Sequence, residues 1–391
     1  MTAGETRRPS DLRTSPSFLE PLVSIVRPHH AVRQFTPQIV ALLVAAACTA
    51  CGSDVTAPAV SGFLAGTNAN HEIGLVINSA GKTLTLFQLG SPTTQKQIPL
   101  GTSSTVTPVG AAVRGRRAAV PLGNAASVAL IDLETAAVRR FFTFASGNAS
   151  GSVFSDDTTI IVANSTLGTV GRMTVGQSSD AIAITVPVAS SPSAIAVAGG
   201  RVLVVSANLD VTFTPRGNGI VTAIDPKTMQ LLGTATMGGT NSNDAAVGPD
   251  GLLYVVNTGD FVGQGSLTIV NPATMQVVAT IPNMGVGPGA ISIDASGLAY
   301  ISSFVSGTLV WNTKTRAFVR GPDNPVCAKL ANGSCRGAFA SSTNQAGDVY
   351  QAFFGSASQA PYIFVFRAGA FALSDSIAAG SGPTSIVIRT F

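Results

Sequence analysis

The pattern of hydrophobic and polar residues over residues 244–320 contains two copies of one repeat unit. Short apolar runs alternate with turns rich in Gly, Asn, Asp and Pro, first over 244–281 and again over 288–320. Each copy has four such runs, and short apolar runs punctuated by these turn residues are typical of β-strands. Each copy therefore predicts a four-stranded antiparallel meander.

A short marker extends the repeat beyond these two copies. It consists of an apolar residue, an Asp or Asn, two further residues and a Thr, and its acidic or amide positions are Asp132, Asp225, Asn271 and Asn312. The intervals are 93, 46 and 41 residues, and the first spans two units with a degenerate copy near Gly176. A four-stranded unit with a period in the forties indicates a β-propeller blade. We expect the marker to close the third strand onto the fourth, because Asp and Asn side chains bond nearby backbone in turns.

The blade pattern predicts an all-β fold, a seven-bladed β-propeller of four-stranded antiparallel blades. Six blades are complete within the chain, over residues 105–144, 152–188, 192–237, 244–281, 288–320 and 338–377. The seventh is predicted to combine the C-terminal strand at 383–390 with three N-terminal strands at 72–78, 82–88 and 95–100. This pairing closes the ring and removes two sheet edges, which would otherwise promote aggregation.

Three of the second strands in these units point to a family. The run Leu253-Tyr-Val-Val-Asn257, together with residues 161–164 and 204–208, resembles the YVTN-type β-propeller repeats. The resemblance covers about residues 70–391 and implies the propeller fold. That family contains surface, binding and enzymatic members, so the resemblance implies no single function.

The N-terminal residues carry an export pattern. Residues 1–33 are polar and Pro-rich, and we interpret them as a disordered extension or as sequence upstream of the true start. Residues 34–51 are predicted to be a signal peptide with a lipobox, since Arg33 precedes an apolar run at 39–47 that is too short to span a bilayer. Gly52 and Ser53 favour Cys51 as the lipidated residue, with Cys48 as the alternative.

The remaining boundaries and the cellular location follow from this pattern. Residues 52–70 are predicted to be a flexible tether and residues 71–391 the propeller. The sequence predicts an exported monomer that contacts the bacterial outer membrane through its lipid, on the periplasmic side or at the cell surface. The formal net charge of +4 gives no reason to expect a nucleic-acid partner.

Residues suited to catalysis are scarce in the predicted propeller. His71 is the single histidine after the signal, and Glu72 and Glu134 are the only glutamates. A triad or a His-ligated haem or metal would have to use His71 alone. We therefore predict no catalytic residue, no metal and no cofactor.

Two long loops suggest where a ligand would bind. Within each blade we label the strands a to d from the axis outward. The b–c loops at 206–219 and 258–265 and the d–a loop at 238–243 are predicted to open on the same face of the ring. Functional residues concentrate on loops held by a rigid scaffold. The predicted ligand-binding residues are Asn208, Asp210, Phe213, Arg216, Asn243, Asp244, Asn257, Asp260 and Phe261. The alternative is that these are solvated loops with no ligand.

Cysteine and arginine positions add two structural expectations. Cys327 and Cys335 should form a disulfide in an exported protein, worth about 2–3 kcal/mol for a loop of this length. Five arginines cluster around the first blade, at Arg114, Arg116, Arg117, Arg139 and Arg140. We interpret them as an ordinary solvated edge, with a polyanion contact as the alternative.

Two functions remain open from the sequence. The leading hypothesis is a non-catalytic binding or scaffold lipoprotein of the cell envelope. The competing hypothesis is a metal-dependent enzyme resembling lactonase- or lyase-type propellers, with its site at the axial pore. Three or more carboxylate or amide side chains converging at one mouth of the pore would favour the enzyme, whereas an apolar or small-residue channel would favour the binding module.

Overall fold

The computed structural model describes residues 62–64 and 71–391, and this part of the chain contains 28 strands and no helix. The strands form seven four-stranded antiparallel sheets in sequence order around a ring. The predicted all-β fold, a seven-bladed β-propeller, is confirmed.

The strand bounds follow the predicted blades closely. The outer three strands of blade 7 are β1 (Glu72–Asn78), β2 (Thr83–Gln88) and β3 (Ser91–Pro99). Blade 1 comprises β4 (Ala112–Arg114), β5 (Arg117–Pro121), β6 (Ser127–Asp132) and β7 (Ala137–Thr143). Blade 2 comprises β8 (Ala149–Phe154), β9 (Thr159–Asn164), β10 (Thr169–Thr174) and β11 (Ile184–Pro187). Blade 3 comprises β12 (Pro192–Ala198), β13 (Arg201–Ser206), β14 (Asn218–Ile224) and β15 (Leu231–Thr240).

The second half of the ring repeats this arrangement. Blade 4 comprises β16 (Ser242–Val247), β17 (Leu253–Asn257), β18 (Ser266–Asn271) and β19 (Gln276–Ile281). Blade 5 comprises β20 (Pro288–Ile293), β21 (Leu298–Ser303), β22 (Gly307–Asn312) and β23 (Ala317–Arg320). Blade 6 comprises β24 (Ala340–Thr343), β25 (Val349–Phe353), β26 (Tyr362–Phe366) and β27 (Leu373–Ala378), and the last strand is β28 (Pro383–Thr390).

The ring closes through β28, as the sequence predicts. The order within blade 7 is β28-β1-β2-β3, with β28 and β1 antiparallel from the Glu72–Thr390 pair onward. Ile386 and Ile388 are buried, in one cluster with Phe87 of blade 7 and Tyr350 of blade 6. The C-terminal strand therefore contributes both hydrogen bonds and apolar packing to the closure.

The repeated marker does form the turn between the third and fourth strands. The side-chain oxygen of Asp225 accepts the N–H groups of Lys227 at 2.8 Å and Thr228 at 2.9 Å. Asp132, Asn271 and Asn312 accept the equivalent pair of N–H groups in their own blades. The local bonding predicted from the residue types is confirmed at all four positions.

The hydrophobic core lies between adjacent blades rather than at the axis. Tyr254 of blade 4 packs against Trp311 of blade 5, with 6.1 Å between the ring centroids, and both side chains are fully buried. The hydroxyl of Tyr254 donates to Asp250 at 2.6 Å, so the polar end of this core residue is satisfied at the turn. The inner strands are thus free to line the axis.

The segment between blades 5 and 6 is a packed insertion. Cys327 and Cys335 are joined by a disulfide, as predicted, with their Cα atoms 5.5 Å apart. Val326 is buried with the aromatic residues of blades 5 and 6, and its carbonyl accepts a hydrogen bond from Gln351 at 2.9 Å. The insertion therefore fills the outer wedge between the two blades.

The structure also bears on the N-terminal boundary. Residues 1–33, the signal at 34–51 and the two candidate lipidation residues Cys48 and Cys51 lie outside the described residues. Within the predicted tether, Leu64 is fully buried in the core shared by blades 7 and 1, and a Cβ on Gly62 would lie 1.4 Å from the carbonyl oxygen of Glu134. Residues 62–64 therefore pack with the propeller. Across the part of the chain that is described, no helix is long and apolar enough to cross a membrane.

Candidate functional site

The seven inner strands surround an axial channel with a volume of about 2130 Å³. Small residues from all seven blades line its wall, including Ala112, Gly151, Ala194, Ala245, Ala290, Ser341 and Ser385. We call the end with the b–c and d–a loops the upper face, and the end with the a–b and c–d turns the lower face. Small side chains in the channel wall favour the binding hypothesis, whereas Asp210, Asn243 and Asp244 at its upper end are polar side chains of the kind that the enzyme hypothesis requires. The Asp210 carboxylate accepts backbone N–H groups of its own loop and the Asn243 amide donates to a backbone carbonyl, so two of the three are already engaged by the chain.

The structure places the nine predicted ligand-binding residues in two groups. Five of them line the upper part of the channel: Asp210, Phe213, Arg216, Asn243 and Asp244. The other four, Asn208, Asn257, Asp260 and Phe261, lie outside the channel lining. The channel lining therefore brings together five of the nine predicted residues, and the other four lie elsewhere on the upper loops or inside the blade.

Asn257 lies inside its blade rather than on the rim, which corrects its sequence-based placement. Its side chain is 1% exposed. Its amide nitrogen donates to the hydroxyls of Ser266 at 3.0 Å and Thr268 at 2.8 Å, and its oxygen accepts from Ser242 at 2.6 Å. A buried polar group must find such partners, and this amide serves three hydroxyls at the upper end of the blade.

Asp210, Asp260 and Asn208 build the loops on which they lie. The carboxylate of Asp210 accepts the N–H groups of Thr212 and Thr214, and its hydrogen bond with the Thr212 hydroxyl lowers its pKa first of all. Asp260 accepts the N–H groups of the second and third residues after it, at 3.0 Å and 2.7 Å. The amide of Asn208 donates to the carbonyl of Asn218 across the base of its loop at 2.9 Å. Any further contact of these residues with a ligand stays a prediction.

These loops hold apolar side chains out in solvent. Phe213 is 81% exposed with φ of 61°, and Phe261 is 53% exposed with φ of 65°. Bulky residues rarely adopt this left-handed region. Val211 and Val262, beside them, are more exposed still. Strained backbone that presents apolar groups to water is a feature found at functional sites.

A row of four phenylalanines, here called the aromatic arc, continues from this point along the upper face. Its members are Phe261, Phe304, Phe339 and Phe354, with consecutive ring centroids 6.2, 5.0 and 4.9 Å apart. They belong to the b–c loops of blades 4, 5 and 6 and to the connection between blades 5 and 6. The arc joins three blades at one side of the channel mouth.

The sequence analysis identified only Phe261 of this arc. Phe304 and Phe354 each follow directly after the second strand of their blade, β21 and β25. An alignment of the units by their strands would have placed both at the same loop position. The signal was therefore present in the repeat, although loop length alone did not reveal it.

Asp244 is the one acidic residue on the seven inner strands. Its two carboxylate oxygens accept the N–H groups of Ala245 at 2.8 Å and of Ile291, in the next blade, at 2.9 Å. Burial raises the pKa of this carboxyl to about 6, although both N–H donors favour the ionised form. Among the described residues, no ion pair involves Asp244.

The aromatic arc and Asp244 meet at the upper end of β20. The ring of Phe304 fills the space beside Gly289, where a Cβ would lie 2.1 Å from its Cζ atom. The amide of Asn243 donates to the carbonyl of the same glycine at 2.5 Å, and Ile291, two residues further on, donates to Asp244. An aromatic ring and a carboxylate therefore flank one short stretch of the channel wall.

On the lower face, the arginines clustered around blade 1 pair with acids of the chain. Arg114 lies 2.7 Å from Asp157 and Arg116 lies 3.2 Å from Glu134. Two further pairs join Arg139 to Asp132 and Arg140 to Asp180. Four of the five clustered arginines are thus matched by acidic residues within the chain, in keeping with a solvated edge.

Within residues 62–64 and 71–391, no group of three or more His, Cys, Asp or Glu side chains is placed to hold a metal ion. His71 is exposed at the start of the propeller, where its carbonyl accepts the N–H of Phe391.

Comparison with known proteins identifies the fold. No family model matches the chain, and no curated protein matches it. Among solved structures, hydrazine synthase of Kuenenia stuttgartiensis is similar with a TM-score of 0.59 and 12% identity, covering 74% of this chain and 97% of that one. A functionally unknown protein of Desulfotomaculum acetoxidans gives 0.59 and 15% identity, covering 81% and 99%.

A third similar structure is the dihydro-heme d1 dehydrogenase NirN in complex with DHE. It has a TM-score of 0.53 and 12% identity, and the match covers 81% of this chain and 74% of that chain. At these identities the three similarities show the shared propeller fold. Two of the three proteins are enzymes by their names, and one has no assigned function.

Proposed function

We propose that the protein is a non-catalytic binding or scaffold propeller, exported and held at the bacterial envelope by an N-terminal lipid, which takes its ligand on the upper face. One observation carries the proposal, namely the aromatic arc with the exposed apolar loop tips beside it. Contiguous exposed apolar surface rimmed by polar groups marks interaction sites on soluble proteins. The small-residue channel below it supports the same function.

The direction in which the chain enters the ring supports this choice of face. Glu72, the first residue of β1, pairs with Thr390 at the lower end of blade 7. A chain that arrives from a lipidated Cys51 would therefore reach the propeller at its lower face. In that arrangement the upper face points away from the membrane and is open to a partner.

The binding role can be tested with a displayed library of random peptides against the immobilised full-length chain. We expect enriched peptides to lose at least about tenfold in affinity when Phe261 is replaced by Ser, since central aromatic contacts dominate interfaces. The matched control is Leu373→Ser, on the outermost strand of blade 6, because Leu373 is 51% exposed and Phe261 is 53% exposed. Equal loss in both variants, or no enrichment, would remove the upper face as the binding surface.

The anchor can be tested separately by labelling cells with an alkyne fatty acid. Cys51→Ala should abolish the label and release the protein from the membrane fraction, whereas Cys48→Ala should retain both. The reverse result would move the lipid to Cys48, and labelling of neither form would exclude the anchor. The enzyme hypothesis has its own test, because elemental analysis showing one tightly bound divalent metal per chain would favour it over the binding module.

A further inference from the structure

We infer that the upper mouth of the channel is a site for an organic cation, whose ammonium group pairs with Asp244 and whose apolar body lies on Phe304 and Phe339. The inference rests on the proposed binding function and names the chemical class of its ligand. Phe304, Phe339 and Asp244 all line the channel. The site therefore combines one carboxylate with an aromatic wall.

The carboxylate of Asp244 has capacity to spare. An ionised carboxylate offers about four lone-pair positions, and the two backbone N–H groups of Ala245 and Ile291 use only one on each oxygen. The side chain is partly exposed on the channel side. A donor group that arrives through the upper mouth can therefore reach it.

Among the described residues, the strands packed against β16 supply no countercharge to Asp244. The strands packed against β16 are β12, β13, β14, β17 and β20. Their only ionisable residues are Tyr254, whose pKa is raised by burial and which is therefore neutral, and Arg201, whose guanidinium donates to the carbonyls of Pro272 and Ala273. At the mouth, Arg216 acts on the carboxylate of Asp210.

An uncompensated carboxylate in a partly desolvated wall favours a ligand that brings a positive charge. Burial holds the pKa of Asp244 at about 6, so the group is mainly ionised at neutral pH. Its ionisation is thus costly until a cation pairs with it. A partly desolvated carboxylate without a nearby cation therefore favours a cationic ligand over a neutral or anionic one.

The aromatic wall indicates that the cation is organic. The faces of Phe rings attract ammonium and quaternary ammonium groups and also accept apolar surface. Ala245 and Ala290 line the channel beside Asp244 with short side chains, which leaves room for the body of the ligand. Ca²⁺ or Mg²⁺ would instead need about six oxygen ligands around it, and Asp244 is the only acid on the inner strands.

Calorimetric titration of the full-length chain with two probes tests the inference without any mutation. Phenethylammonium carries the charge and 2-phenylethanol is its neutral counterpart of similar shape. We expect the ammonium to bind at least about tenfold more tightly at pH 7.5, because only the ammonium can pair with the ionised carboxylate. The preference should fall as the pH is lowered through about 6, since Asp244 then becomes neutral.

Two variants and a control locate the site. Asp244→Asn should remove the preference for the ammonium, and Phe304→Leu should weaken both probes alike. Asp323→Asn, whose carboxylate lies outside the channel lining, should change neither. If Asp244→Asn fails to fold, the pH dependence of the unmodified chain decides the role of the carboxylate.

The outcomes separate this inference from the proposed function. Equal binding of the two probes overturns the cation site and leaves an apolar binding face. Binding of neither overturns the cation site, while the peptide selection still decides whether the upper face binds a partner. Saturable binding of Ca²⁺ alone that depends on Asp244 also overturns the inference, in favour of a metal. Tighter binding of acetyl-Phe-Lys-amide than of phenethylammonium supports it and assigns the cation to a partner chain.

Discussion

The upper and lower faces of the ring use the same strands and end in opposite chemistry. On the lower face, Asp and Asn side chains close turns on their own backbone, and the arginines pair with acids of the chain. On the upper face, strained loops hold phenylalanine and valine side chains in water, beside a carboxylate with no partner cation among the described residues. The turn residues and clustered arginines of the lower face find their partners within the chain, whereas the exposed apolar side chains and Asp244 of the upper face leave contacts that a ligand can make.

The difference supports the binding role proposed for the upper face. A turn that satisfies its own polar groups needs nothing from outside. Exposed aromatic groups and a partly desolvated charge each cost free energy in the free protein, and a ligand can recover that cost. Substitutions on the two faces should therefore differ in their effects on the free energy of unfolding and on ligand affinity.

The largest effect is expected from removing β28, which belongs to both faces. Deletion of residues 383–391 exposes the edge of β1 and the apolar surface that Ile386 and Ile388 cover. We expect loss of most of the free energy of unfolding, on the order of 5–15 kcal/mol for a folded domain, because the whole ring opens. Thermal unfolding followed by circular dichroism provides the measurement. A truncated chain that keeps a single cooperative transition near the original temperature would contradict the closed ring as the source of stability.

A smaller loss is expected from Asn257→Ala, which removes the support beneath the upper face. The variant leaves the hydroxyls of Ser242, Ser266 and Thr268 without their buried partner. We expect a cost of about 2–4 kcal/mol by urea unfolding, since each unpaired buried polar group costs about 1–3 kcal/mol. Asp260→Ala is the control on the exposed loop of the same blade, and it should cost less than about 1 kcal/mol. Similar costs for both variants would indicate that Asn257 is an exposed rim residue rather than a buried structural one.

Asn257 also illustrates how far the sequence could lead. The period of the repeat, the marker at Asp225 and the apolar strand at 383–390 are local patterns with one structural meaning, so blades, turns and closure were all predictable. Loop composition does not separate Asn257 from Asp260. The repeat position does, because Asn78 and Asn164 also end the second strand of their blades and are also buried. The repeat places Phe304 and Phe354 at the same loop position. The contact of both rings with Phe339, in the connection between the blades, depends on the spacing of blades around the axis, which sequence order does not express.

One carboxylate of each face, Asp156 on the lower face and Asp244 on the upper face, should respond to acid in opposite directions. N–H donation from Thr158 lowers the pKa of Asp156, on the lower face, to about 2. Stability from this group is present above about pH 4 and is lost as the pH falls towards 2. Burial raises the pKa of Asp244 from its ordinary value of 3.8 to about 6. The stability gained from its neutral form is therefore complete below pH 3.8 and is lost as the pH rises through 6.

Urea unfolding of the intact chain at several pH values measures this difference. From pH 7 to pH 5, we expect the free energy of unfolding to rise by about 1 kcal/mol, because one unit of pKa shift corresponds to about 1.4 kcal/mol. Below about pH 4 it should decline as Asp156 becomes protonated. Asp244→Asn should flatten the upper part of this profile and leave the acid decline. An unchanged profile in that variant would show that another group governs it.

The smallest effect on stability is expected at the most exposed part of the upper face. Phe213→Ser should change the free energy of unfolding by less than about 0.5 kcal/mol, because surface substitutions away from buried contacts are nearly neutral. The replacement relieves little backbone strain, since Ser at φ of 61° is also unfavourable. Affinity for a partner selected on the upper face should nevertheless fall, whereas Asp225→Ala on the lower face should reduce stability and leave affinity intact. The two faces are functionally distinct only if these substitutions separate in this way, and a parallel loss of stability and affinity in both would mean that they act as one surface.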